Sequence, residues 1–183
     1  MTTLLLIAGS HFVAGTARLR AAEPTADGTK LSAADWPWWR GPSRDGIGAA
    51  QQKPPLKWSA TQNVLWKVAV PGRGHASPTV VGNRVFLATA DETAQVQAVL
   101  CFDRNSGRQL WRVDVHAGEL EKKGHQKSSQ ASSTVACDGE RLFVNFLHGG
   151  AIFTTALDLD GQQIWQARWI SPRRRSSGIC SRI

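Results

Sequence analysis

Short apolar runs, each closed by turn-forming residues, follow one another along most of the chain. From Thr79 the order is Thr79 to Val81, Gly82-Asn83, Arg84 to Thr89, Val96 to Asp103, Asn105-Ser106-Gly107, and Gln109 to Val115. The runs are rich in Val, Leu and Phe, and the Gly and Asn between them supply the left-handed backbone that tight hairpins require. This pattern predicts four short strands joined by hairpins.

The same order returns about fifty residues later. Ala76 to Val115 and Ala131 to Trp169 align part by part: Ala-Ser-x-Thr-Val, a turn (Gly82-Asn83 or Asp138-Gly139), an apolar run, a second run ending in Asp, a Gly-bearing turn, and a segment closing on Trp111 or Trp165. Four antiparallel strands per period of about 40 to 55 residues are expected of a β-propeller blade. A partial unit precedes them, because Val64-Leu65-Trp66-Lys67-Val68 matches Gln109-Leu110-Trp111-Arg112-Val113 and reads as an outer strand without its inner partners. The expected fold is all-β, a β-propeller of four-stranded blades with about two and a half blades present. Closed propellers take about four to eight blades, so further blades or self-association are needed to complete a ring.

The closing segments DRNSGRQLWRVDV and DLDGQQIWQARW resemble the repeat of the pyrroloquinoline-quinone (PQQ) propeller superfamily, which includes quinoprotein alcohol dehydrogenases and the propeller lipoprotein of the outer-membrane assembly machine. Asp35-Trp36-Pro37-Trp38-Trp39-Arg40-Gly41-Pro42, followed by Arg44-Asp45-Gly46, is similar to the opening motif of secreted bacterial PQQ-like repeat proteins. The resemblance covers about residues 35 to 169.

It implies two functions. One is a non-catalytic exported scaffold for protein or polysaccharide partners. The other is a fragment of a PQQ-dependent alcohol or sugar dehydrogenase. The dehydrogenases of the superfamily hold PQQ with Ca²⁺ or a lanthanide and commonly carry adjacent cysteines under the quinone. Cys101, Cys137 and Cys180 include no adjacent pair, and no ligand set or catalytic residue transfers, so PQQ with Ca²⁺ is not firmly implied. The scaffold is the expected function.

In a repeat of this kind the outer-strand Trp docks one blade on the next, a structural role expected of Trp66, Trp111 and Trp165. The Trp38, Trp39 and Arg40 cluster suits stacking on a cyclic or planar ligand, yet the same large side chains suit an extended cap over a propeller edge. His75, in Pro71 to His75, and His125, in the loop from His116 to Gln130, precede inner strands and are expected on one face near the central funnel. No zinc-protease, nucleophile-elbow or phosphate-loop pattern is present.

Composition changes this picture little. The 183 residues include 42% hydrophobic and 20% charged positions, as in a globular protein. Five arginines and no acid lie beyond residue 167, so most of the net +8 belongs to the tail, the rest is charge-mixed, and no nucleic-acid partner is expected. Three cysteines are too few and too scattered for a disulfide framework or a zinc site.

Residues 1–22 have the order of a signal peptide without its basic start, are too short in apolar length to span a bilayer, and favour export to the periplasm or medium. The expected organisation is a leader at 1–22, a linker at 23–34, a Trp-rich cap at 35–60, propeller repeats at 61–169 with blades at about 76–115 and 131–169, and a basic tail at 170–183. In that tail Ile170 to Ile183 abandons the strand pattern. The reading is a truncated or frame-shifted product of a longer propeller gene; a basic tail docking on anionic lipid or nucleic acid is the competing account.

Overall fold

The computed structural model describes residues 31–120 and 128–169. Eight strands form two four-stranded sheets, and among the described residues there is no helix. The first sheet holds β1 (Thr79–Val81), β2 (Arg84–Asp91), β3 (Val96–Asp103) and β4 (Gln109–Ala117). The second holds β5 (Ala136–Cys137), β6 (Arg141–His148), β7 (Ala151–Asp158) and β8 (Gln163–Trp169). Each is an antiparallel meander in chain order, as a propeller blade requires.

The turns form where the sequence supplies the backbone for them. Gly82, Gly107, Gly139 and Gly161 all sit at positive φ, a region that costs a residue with a Cβ about 1–2 kcal/mol. Aspartates close the same turns. Asp103 Oδ1 accepts the amides of Asn105 and Ser106, and Asp158 Oδ1 those of Asp160 and Gln162. An acceptor there satisfies amides that the tight turn would otherwise leave unpaired.

Burial follows position in the blade. In β3 the six residues from Gln97 to Phe102 are all buried, because both faces of that strand are covered. In β4 the alternate residues Trp111, Val113 and Val115 are partly buried and pack on the shared core, while Leu110 and Asp114 face outward. That core is one cluster drawn from both sheets: Phe86, Val99 and Cys101 from the first meet Leu142, Val144 and Leu157 from the second.

The segments entering the inner strands hold the sheets together as well. The Thr79 hydroxyl donates to the Val135 carbonyl, and the Ser77 amide donates to Thr134 Oγ1 at 3.1 Å. Residues Val64–Val68 form no strand. A strand needs a ladder partner, and no backbone hydrogen bond joins this segment to any described residue.

Candidate functional site

Two joints between successive repeats have the same construction. The Trp66 indole N–H donates to the Arg104 carbonyl at 2.8 Å, and its ring covers Gly107, where a Cβ would lie 2.6 Å from the indole. The Trp111 indole N–H donates to the Leu159 carbonyl at 3.1 Å, and its ring covers Gly161, where a Cβ would lie 3.0 Å away. Arg104 and Leu159 each follow the turn aspartate directly, so donor and receptor occupy equivalent places in both joints.

A polar clasp flanks the second joint. Arg84 donates to the Leu159 carbonyl and pairs with Asp160 at 2.8 Å. Trp165 holds the third equivalent position. Its ring lies 6.1 Å from Phe143, as that of Trp111 lies 5.9 Å from Phe86, and it is 41% exposed on the outermost strand.

The Trp-rich segment lies along the inner edge of both sheets. Trp36 and Val80 exchange backbone hydrogen bonds of 2.7 and 2.9 Å, and the Pro37 carbonyl accepts the Cys137 amide at 2.8 Å. Buried Asp35 accepts the amides of Ser32 at 2.6 Å and Gly82 at 2.8 Å. Burial alone would push its carboxyl up, but these hydrogen bonds outweigh it and hold Asp35 below the usual carboxylate range.

Gly41, at positive φ, turns the chain so closely over Trp36 that a Cβ would meet the ring at 2.6 Å. On either side of that turn, Arg44 lies over the Trp38 ring at 5.2 Å and Arg40 over Trp39 at 5.6 Å. Arg40 also donates to the Asp45 carbonyl at 2.8 Å. Trp39 is 64% exposed, and the Trp38 indole N–H is buried with no partner.

His75 belongs to a different segment, the one leading into β1. Its amide donates to the Ala131 carbonyl at 3.0 Å and to Ser129 Oγ at 3.1 Å, at the end of the sheets where the loops between blades cross, and its side chain is exposed. The adjoining Arg73 pairs with Ala90, and Thr89 Oγ1 donates to the Pro71 carbonyl at 2.6 Å. Between this segment and β2 is an open groove of about 310 Å³ lined by Val70, Gly72, Arg73, Gly74, Leu87 and Thr89. His125 lies outside the described residues.

A different pair of histidines is brought together. His116 of β4 and His148 of β6 stack at 4.4 Å and 17° across the seam between the sheets, with Phe153 edge-on to His116 at 4.9 Å and Phe146 at 6.0 Å. Nε2 of His116 and Nδ1 of His148 are buried without partners. Burial, with the neighbouring His148 adding to it, pushes the His116 imidazole down to about 4. Beside them, buried Gln97 donates to the Gln130 carbonyl at 2.8 Å and the Leu147 carbonyl at 3.0 Å.

Sequence reasoning passed over this pair because its members belong to different repeats. A register shift between Gln97 and Ala98 places His116 opposite Gln97 and Asp114 opposite Ala98, leaving Val115 as the extra residue. The shift changes the phase of the strand, so His116 is buried where strict alternation would expose it. No sequence signal marks that bulge.

Among the described residues no three of His, Cys, Asp and Glu converge as metal ligands. Cys101 and Cys137 are buried free thiols in different sheets, and burial raises Cys101 to about 11. No helix among the described residues is long and apolar enough to cross a membrane.

A solved structure similar to this chain is a europium-containing methanol dehydrogenase, at 14% sequence identity and a TM-score of 0.40, with 77% of this chain and 33% of that chain covered. The chain thus spans a third of the length of that enzyme. No curated protein matches it. The family profile described as "Outer membrane protein assembly factor BamB" matches residues 16–182. With that match across nearly the whole sequence and two four-stranded antiparallel sheets of the expected order, the chain belongs to the PQQ-like β-propeller repeat family.

Proposed function

We propose that the chain is part of a longer, exported PQQ-like propeller that serves as a non-catalytic binding or assembly scaffold. The observation that carries this reading is the repeated joint. Trp66 and Trp111 are each spent on a turn glycine and a carbonyl of the following repeat, which is the chemistry of blade docking rather than of ligand stacking. Trp165 offers the same side chain at the free face of β8, next to half-exposed Ile164 and Trp169, and suits the next blade. The description of the matching profile as an assembly factor agrees with a protein partner.

The Trp-rich segment acts in this reading as a cap. Its Trp36 and Pro37 backbone groups occupy the inner edges of β1 and β5, which would otherwise present unpaired amides. In this reading Trp38, Trp39 and Arg40, and separately the exposed His75, are the side chains left for a ligand.

Titration of the intact native protein with PQQ and Ca²⁺, followed by quinone fluorescence, tests the scaffold. The expected result is no saturable binding. Saturable one-to-one binding would place the protein with the quinoprotein dehydrogenases instead.

A further inference from the structure

We propose that the stacked His116 and His148 form an acid-sensitive latch, closing one end of the seam between the sheets while both rings are neutral and releasing that end when the pair takes up a proton. The two ends of the seam are built differently. At one, Trp111 covers Gly161 and donates to the Leu159 carbonyl, beside the Arg84 and Asp160 pair. At the other, β4 ends just past His116 and β6 ends at His148, and the two rings stack at 4.4 Å across the seam. Gln97 of β3 reaches over the same end to the Leu147 carbonyl of β6.

The surroundings suit neutral rings and no charge. An imidazolium must donate from both nitrogens, and Nε2 of His116 and Nδ1 of His148 are buried without partners. Phe146 of β6 and Phe153 of β7 offer no acceptor. Gln97 Oε1 is itself unpartnered and bonded to neither ring, and its amide is fixed by two bonds to the Gln130 and Leu147 carbonyls. The carboxylates of the adjoining elements are engaged elsewhere. Asp114 of β4 pairs with Arg112, Asp91 of β2 closes on the amides of Thr93 and Ala94, and Glu119 lies against Gly149. The cations in register, Arg168 opposite Phe153 and Arg73 beyond Ala90, have the sign that opposes a further proton. Burial first, and His148 second, push the His116 imidazole from 6.5 down to about 4. An opened end returns the ring to its ordinary range, so acid favours opening, progressively so below 6.5.

The test uses the whole chain with Ala90→Cys as a reporter and Cys180→Ser to remove a background thiol. Ala90 is buried opposite Gln97, at the latch end. The native Cys101, opposite Trp111, and Cys137, opposite Leu142, are buried toward the other end. A pyridyl disulfide, which stays reactive in acid, labels exposed thiols, and peptide mass mapping gives the rate at each position relative to a free model thiol. From about pH 7 to about pH 4.5, the expected result is a rise of more than about tenfold at position 90, with Cys101 and Cys137 still protected. The rise is lost with His116→Gln and smaller with His148→Gln.

No rise in the reporter chain, an equal rise with His116→Gln, or labelling of Cys101 and Cys137 in step with position 90 overturns the latch. The chain without any substitution gives a second reading, the nuclear Overhauser contact between the two imidazoles. It is expected at about pH 7 and lost as the His116 ring titrates, and a contact that survives the titration overturns the latch equally.

Discussion

Replacing Trp111 tests how much of the fold depends on the joint between blades. The side chain has three attachments: its ring over Gly161, its indole N–H on the Leu159 carbonyl, and its contact with Phe86 in its own sheet. Truncating a buried Trp to Ala typically costs about 3–5 kcal/mol, and Trp111 is only partly buried, so about 3 kcal/mol is expected for Trp111→Ala. Trp111→Phe keeps an aromatic ring over Gly161 and loses the N–H. The Leu159 carbonyl is not orphaned by that change, since Arg84 also donates to it, and the cost falls to about 1 kcal/mol.

Urea unfolding followed by far-UV circular dichroism gives both numbers, with the m-value checking that the folded state is unchanged. Gly161→Ala closes the cycle. Alone it meets a positive φ of 87° and places a Cβ 3.0 Å from both the indole and Val113 Cγ2, and in the Trp111→Ala background the indole contact is gone while the φ cost of about 1–2 kcal/mol and the Val113 contact remain. Strict additivity of the two substitutions, or a Trp111→Ala protein within about 0.5 kcal/mol of the parent, would refute the joint.

Other outcomes follow from the same structure. Gly107→Ala destabilises more than Gly82→Ala in thermal unfolding, because both glycines sit at positive φ but only Gly107 faces an indole, whereas a Cβ at Gly82 meets nothing within 4 Å. His116 has its imidazole lowered from 6.5 to about 4, so the unfolded chain binds its proton more readily; its contribution is complete above about pH 6.5 and lost progressively as pH falls toward 4, by up to about 3 kcal/mol. His116→Phe flattens that part of the stability–pH profile measured by urea unfolding, and an unchanged slope counts against a neutral buried imidazole. Cys101 and Cys137, buried with raised thiols, react with a maleimide only after denaturant is added, read by mass. Arg84→Ala costs about 1 kcal/mol, more than its half-exposed ion pair to Asp160 alone would give, because the bond to the Leu159 carbonyl goes with it.

The blades were legible in the sequence because each strand is closed by residues with a local reason to turn. Gly82-Asn83, Asn105-Ser106-Gly107, Asp138-Gly139 and Asp160-Gly161 mark hairpins by their own backbone chemistry, and the strands begin and end within a residue or two of those marks. Contacts between repeats are another matter. Trp66 was recognisable as an outer-strand residue by analogy with Trp111, but its glycine receptor is 41 positions away and no local pattern points to it. The stacked histidines depend on a one-residue bulge opposite Gln97, a packing choice that periodicity averages away. Arg40 over Trp39 and Arg44 over Trp38 likewise depend on backbone at positive φ around the Gly41 turn, which no hydrophobic pattern announces.

Two equivalent joints dock the repeats, and nuclear magnetic resonance of the labelled chain sees both at once. Protons under an indole face are shifted upfield, so the Hα signals of Gly107 and Gly161 should lie well upfield of ordinary glycine values, with nuclear Overhauser contacts to the rings of Trp66 and Trp111 respectively. Both glycines at ordinary shifts, without those contacts, would contradict the blade-to-blade docking on which the propeller reading depends.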